Sequence, residues 1–244
     1  MKAGLAPLEN EDALSPVKIS YYSDVLCIWA YVAERRLEKL VQDFGQDIQI
    51  EARFCSVFPD AWGKIETNWG ARGGFAGFNH HLKEVAEKFP HIEVNGDLWL
   101  KVAPRTSASG HLFLKAIEIE ARDRGGETDE TPYFDRRMVR AAAALRRAFF
   151  VSGRDISNWQ CFAELAGELG LDYGRIEARI QSSEAVAALA ADYDLAQKLG
   201  VIGSPTFLMN EGRQKLFGNV GYRLLEANVN ELLHDAAGDE ASWC

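Results

Sequence analysis

Ser23-Asp24-Val25-Leu26-Cys27-Ile28-Trp29-Ala30-Tyr31-Val32 leads out of a strand and into a helix, and how it is read decides the fold. Before it, Val17 to Tyr22 (VKISYY) is β-branched and aromatic, the composition of a strand. After it, Ala33, Leu37, Leu40, Val41 and Phe44 recur at helical spacing among charged residues, and Gly45 is placed to end the helix. Asp47 to Phe58 alternates and stops at Pro59, as a second strand should. Strand, helix and strand form a right-handed parallel unit in nearly all proteins, so both strands end on one edge of the sheet. Cys27 then stands at the start of the helix, where unpaired N–H groups and the positive dipole end favour a thiolate. The expectation is a cysteine of lowered pKa.

Far along the chain, Gly200-Val201-Ile202-Gly203-Ser204-Pro205-Thr206-Phe207 puts a proline at the entry to another strand. Proline is tolerated there where one side lacks a partner. The strand Ser204 to Met209 turns at Asn210-Glu211-Gly212 into Gln214 to Gly218, and a helix from Val220 to His234 closes the chain. Between the two halves, His111 to Ala121, Arg137 to Phe150, Asn158 to Leu169 and Ser183 to Leu199 carry apolar residues at three and four spacings. Asp60 to Phe78, dense in glycine, tryptophan and phenylalanine, is expected to be an irregular loop.

Cys27 on the first helix together with Gly-Ser-Pro-Thr-Phe resembles the thioredoxin fold, and within it the DsbA-like family. The fold class is α/β: a thioredoxin fold (β-α-β … β-β-α) with a large all-helical domain inserted between its halves. Residues 17–60 and 198–236 are then the two halves, 61–197 the aromatic loop and helical insertion, and 1–16 and 237–244 flexible tails. The resemblance implies that Ser204–Pro205 is cis and faces Cys27. It also implies that the Ser204 backbone pairs with an extended peptide or with the cysteinyl part of glutathione. Trp29 would form a wall of the site.

One position departs from the family pattern. Cys27-Ile28-Trp29-Ala30 has alanine where the second cysteine of Cys-x-x-Cys would attack a mixed disulfide. Exchange must then be completed by an external thiol such as glutathione, by Cys55 on the same strand edge, or by Cys244 in the tail. Otherwise no exchange occurs. FrnE-like proteins, kappa-class glutathione transferases and 2-hydroxychromene-2-carboxylate isomerases resemble this arrangement. The last two carry a serine at the place of Cys27 to hold the glutathione sulfur, so Cys27 or Ser23 would assist a thiolate while the aromatic loop covers an organic substrate. A third reading keeps the fold without turnover, as a peptide-binding or chaperone-like protein.

Lesser candidates each have a plain structural reading beside the functional one. Asp24 relays a proton or forms a turn. Ser107 and Ser109 cap a helix or approach glutathione, and Asn219 caps the last helix or receives a carboxylate there. Cys161 lies on an apolar helix face and reads as packing.

Composition sets the outer bounds. With 36 acidic and 27 basic residues in 244, the net charge is −9, and no basic stripe serves nucleic acid or an anionic membrane. Four scattered cysteines are no disulfide scaffold. The opening MKAGLAPLENEDALSP does not read as a secretion signal, so a cytoplasmic protein is expected. The five histidines show no metal spacing and no glycine loop has a phosphate-binding pattern. Metal and tightly bound cofactor are therefore not expected. Glutathione as cosubstrate, a small thiol or disulfide or an extended peptide as partner, and room for a homodimer complete the expectations.

Overall fold

A computed structural model describes residues 15–234. Cys244 and the outer parts of both expected tails lie outside the described residues. Strands β1 (Val17–Ser23) and β2 (Ile48–Phe54) pair in parallel, from Val17 opposite Ile48 to Ser23 opposite Phe54. β3 (Thr206–Met209) runs antiparallel to β1, and β4 (Gln214–Phe217) closes the edge, in the order β2-β1-β3-β4. This is the thioredoxin β-α-β … β-β-α order with helices inserted between the halves.

Alternation along the strands sends neighbours to opposite faces. Ile19, Tyr21, Phe54, Phe207 and Met209 join the main core, with Leu37 and Leu40 of helix α1 (Ile28–Phe44) and Leu225, Val229 and Leu232 of α9 (Tyr222–His234). Tyr22, Cys55 and Leu208 face the other way, against Ala196. Ala196 belongs to α8 (Glu184–Lys198), the last helix of the insertion, which thus covers the back of the sheet. Before it come α2 (Ala61–Trp69), α3 (Gly74–Lys88), α4 (Ala108–Gly125), α5 (Arg137–Phe150), α6 (Trp159–Glu168) and α7 (Tyr173–Gln181).

The expected irregular loop at 60–78 is instead α2 and the first turn of α3. Asp60 caps α2, its carboxylate accepting the Gly63 N–H at 3.3 Å. Gly73 takes the left-handed φ of 91° between the helices, and a Cβ on Gly77 would fall 1.9 Å from the Arg72 carbonyl oxygen. These glycines allow a tight turn and a close backbone approach, which their clustering disguised as an irregular loop. The rings are spent on one another: Trp69 on Phe78 at 5.3 Å and Phe78 on Trp99 at 5.4 Å. Phe78 and Trp99 are buried in the insertion, Trp69 is half-buried beside them, and Trp62 stays 43% exposed.

Candidate functional site

Cys27 is the residue immediately before α1, with extended φ −82° and ψ 114°. Its own carbonyl accepts the N–H groups of Ala30 and Tyr31, which closes the first turn. Opposite it, the Ser204–Pro205 peptide is cis, and the Cys27 Sγ–H donates to the Ser204 carbonyl at 3.2 Å. Residues separated by most of the chain therefore share one hydrogen bond. Thr206 Oγ1 donates to the Gly203 carbonyl at 2.7 Å and fixes the turn that presents Ser204. Trp29 is partly buried, with its ring edge-on to His81 and Phe89. Ala30, where the second cysteine of the motif would stand, is fully buried.

The thiol does not have the expected lowered pKa. Cys27 is 6% exposed, and burial pushes the thiol up, against the hydrogen bonds from Ser204 and the Ala30 and Trp29 backbone that pull it down. A helix start favours the thiolate, but a site closed by Ser204 removes the water that would solvate it, and the second effect is larger.

Asp24 holds this arrangement in place. One carboxylate oxygen accepts the Leu26 N–H at 2.9 Å; the other accepts the N–H groups of Val57 and Phe58 and the Ser107 hydroxyl at 2.7 Å. The Asp24 N–H donates to Ser204 Oγ at 2.9 Å. A fully buried carboxylate bonded through both oxygens in this way acts as a tie between segments. Ser107 precedes α4, yet its hydroxyl goes to Asp24 and Phe58 instead of capping the helix.

His111, on α4, completes the frame. Its Nε2 accepts the Val25 N–H at 3.1 Å, its Nδ1 lies 2.8 Å from the Tyr193 hydroxyl, and its ring stacks on Phe54. Burial pushes its pKa down to about 4, so the neutral ring is the working form. Neither His111 nor Ser107 was singled out for this from the sequence. Their four-residue spacing at one helix start is the only signal that could have suggested it.

The remaining candidates stand apart. Cys55 follows Phe54 and so points to the opposite face, into the cluster with Tyr22, Leu208 and Ala196, where burial pushes its thiol far up. The charge of Cys27 is among the lesser causes of that shift, while the Cys55 side chain packs on the far face of the sheet. Cys161 is buried in α6. Asn219 is ahead of the capping position, since α9 begins only at Tyr222. Ser23 is taken by Arg146, whose Nη2 donates to its hydroxyl at 3.0 Å, which leaves it turned into the core.

Against known proteins, residues 130–230 match the family model described as the DSBA-like thioredoxin domain. The ClpXP adapter protein SpxH of Halalkalibacterium halodurans is 24% identical over 236 residues, which span 92% of this chain and 70% of that protein. Among solved structures, 2-hydroxychromene-2-carboxylate isomerase superposes with a TM-score of 0.61 at 18% identity, covering 92% of this chain and all of that one. The cytosolic disulfide reductase DsbM of Pseudomonas aeruginosa, solved with GSH, gives 0.59 at 22% identity, covering 87% and 99%. No helix among the described residues is long and apolar enough to cross a membrane.

Proposed function

We propose that this chain of DsbA-like thioredoxin fold works with a single thiol: Cys27 takes one sulfur from a disulfide of the glutathione class and holds the mixed disulfide against Ser204 and Pro205. The observation that carries this reading is the Cys27 Sγ at a helix start, 3.2 Å from the carbonyl beside the cis-proline, with Ala30 in the place of a resolving cysteine. In the forward step the Cys27 thiolate attacks oxidised glutathione, a Cys27–glutathione S–S bond forms, and the original S–S bond breaks. One glutathione leaves as thiolate and takes up the proton lost by Cys27. A second, external thiol attacks the glutathione sulfur of the adduct and returns Cys27.

Burial makes both steps slow. At neutral pH the resting thiol is protonated and bonded to Ser204, so few thiolates are present to attack. In the return step Cys27 is the leaving group, and a high-pKa thiol leaves slowly. The uncharged mixed disulfide suits a dry site better than the thiolate does. Alkylation of Cys27 by iodoacetamide is thus expected to keep accelerating past about pH 9, above the ordinary cysteine value of about 8.5. A rate that levels off below about pH 7 would contradict the burial argument.

Native mass spectrometry after exposure to oxidised glutathione tests the reading directly. The expected result is one added glutathione on the wild-type chain and none on Cys27→Ala. An unmodified wild type at pH 9 after hours of exposure would sink it.

A second reading is favoured by the curated relatives, adapter proteins that align with 92% of this chain. Here the Ser204–Pro205 edge docks an extended protein segment, and Ile202, 80% exposed just ahead of it, offers an apolar contact. Cysteine-free partner segments that bind Cys27→Ala as tightly as wild type would favour the adapter over exchange.

A further inference from the structure

Within the helical insertion, a cavity of about 300 Å³ lies between α4, α5, the α6–α7 turn and α7. Of its apolar lining, Ile117, Ala121 and Ile176 are buried and Leu169 and Leu171 half-buried. Its charged lining sets four arginines from three helices against two acids. On the α4 and α7 side these charges answer one another. Arg124 Nε and Arg175 Nη1 each lie 3.7 Å from Glu120 Oε1, and Arg175 Nε lies 3.2 Å from Asp172 Oδ2. The α5 side is different. Arg137 Nε lies 3.7 Å from Glu127 Oε1, an oxygen that already accepts the Arg137 backbone N–H at 2.9 Å. Its guanidinium sits so close over Gly125 that a Cβ there would fall 2.4 Å from Nη1. Arg140, exposed and three residues on, has no carboxylate partner among the described residues. It also borders the smaller cavity beside Arg146, where the acid Glu38 is paired with Arg35 at 2.7 Å.

Charge, lining and size each restrict an occupant. Like charges three residues apart share one helix face and repel, so Arg137 and Arg140 together favour an anion. The guanidinium fork matches a carboxylate. One arginine without an acid calls for a single negative charge, since a phosphate monoester of nearly two charges would also face Glu120 and Asp172. A bare inorganic ion would leave the apolar lining wet. A cavity of about 150 Å³ is known to hold benzene, so twice that volume admits a medium acyl chain or two fused rings. We propose that this cavity binds a small monocarboxylate with an apolar body, a medium-chain acyl or aryl acid in class. Its carboxylate is held at Arg140 and Arg137, and its body lies against Ile117, Leu169, Leu171 and Ile176.

Octanoate, butanoate, octan-1-ol and inorganic phosphate are the probes, titrated into the full-length protein and followed by ¹H–¹⁵N chemical shifts. Saturable octanoate binding is expected. Each buried CH₂ supplies up to about fourfold in affinity, so octanoate should bind at least about tenfold tighter than butanoate. It should also bind at least about tenfold tighter than octan-1-ol, the factor one hydrogen bond to a charged group supplies. Arg140→Gln is expected to bring octanoate down to the level of octan-1-ol, and Leu171→Asp, on the cavity wall, to abolish binding. Cys27→Ala is expected to bind octanoate like the wild type, so this inference and the thiol chemistry fail separately. Shifts that stay linear to millimolar octanoate would overturn the proposal. So would octan-1-ol binding as tightly as octanoate, which removes the anion site, or butanoate or phosphate doing so, which removes the apolar one. Unchanged octanoate binding in both variants would place the ligand elsewhere and overturn it too. If neither variant folds, the four-probe comparison on the wild type still decides.

Discussion

Each face of the sheet carries one buried ionic cluster, and the two are built differently. On the back, Asp192 of α8 accepts from Arg53 Nη1 at 2.9 Å, the Phe54 N–H at 3.1 Å and Lys115 Nζ at 2.9 Å. Both oxygens are used, and both cations have a second acid, Glu51 and Glu118. On the front, Arg146 pairs with Glu34 beside a cavity and keeps an unanswered N–H. Both clusters seat the insertion on the thioredoxin core. The back one uses both oxygens of its shared acid, whereas the front one borders a cavity and leaves one buried N–H unanswered.

Removing the acid on each side is the strongest way to break that contrast. Asp192→Ala takes one of two acids from each of Arg53 and Lys115 and leaves the Phe54 N–H without an acceptor, and a loss of about 2 kcal/mol is expected by denaturant unfolding. Glu34→Ala on the front is expected to cost more, about 3–5 kcal/mol, because it leaves the buried Arg146 guanidinium with no acid beside it. A loss on the front no larger than that on the back would mean that water reaches Arg146 once Glu34 is gone.

Acid is the next test, through His111 between the two clusters. Its folded pKa is depressed to about 4, so its contribution is fully present above the unfolded value of about 6.5 and is lost as pH falls toward 4. About 3 kcal/mol is expected to disappear across that window, and His111→Gln should flatten this limb of the stability curve. The smallest effect belongs to the cysteines. Cys55→Ala and Cys27→Ala should each change stability by about 1–2 kcal/mol or less, but only Cys27→Ala should lose the glutathione adduct.

Local pattern made the thioredoxin halves readable. Period-two strands around Tyr21 and Phe207, a period-3.6 helix after Cys27, and a proline at a strand entry are all set by neighbours in sequence. The α2–α3 pair was hidden because Gly73 and Gly77 serve a contact that only the folded chain makes. α7 was hidden because Ile176 is its one buried residue amid charges. The same limit explains the thiol. A helix start is visible in Leu26-Cys27-Ile28, whereas the loss of water depends on Ser204 arriving from the far end of the chain. Arg146 is not set apart in sequence from its neighbour Arg147. The small residues Ala141 to Ala144 ahead of it, which let α5 approach the sheet closely, were the available hint.

The ties made by Asp24 also bear on motion. Through one side chain and its own backbone N–H, it fastens the turn before Cys27, the exit of β2, the start of α4 and the proline loop. Any swing of the helical insertion that opened the cleft at its root would have to pull several donors off a single anion at once. The point at which the insertion is fastened therefore coincides with the proposed site at Cys27. In the proposed exchange, access for a bulky partner must come from rearrangement farther out, leaving the geometry around the sulfur nearly constant.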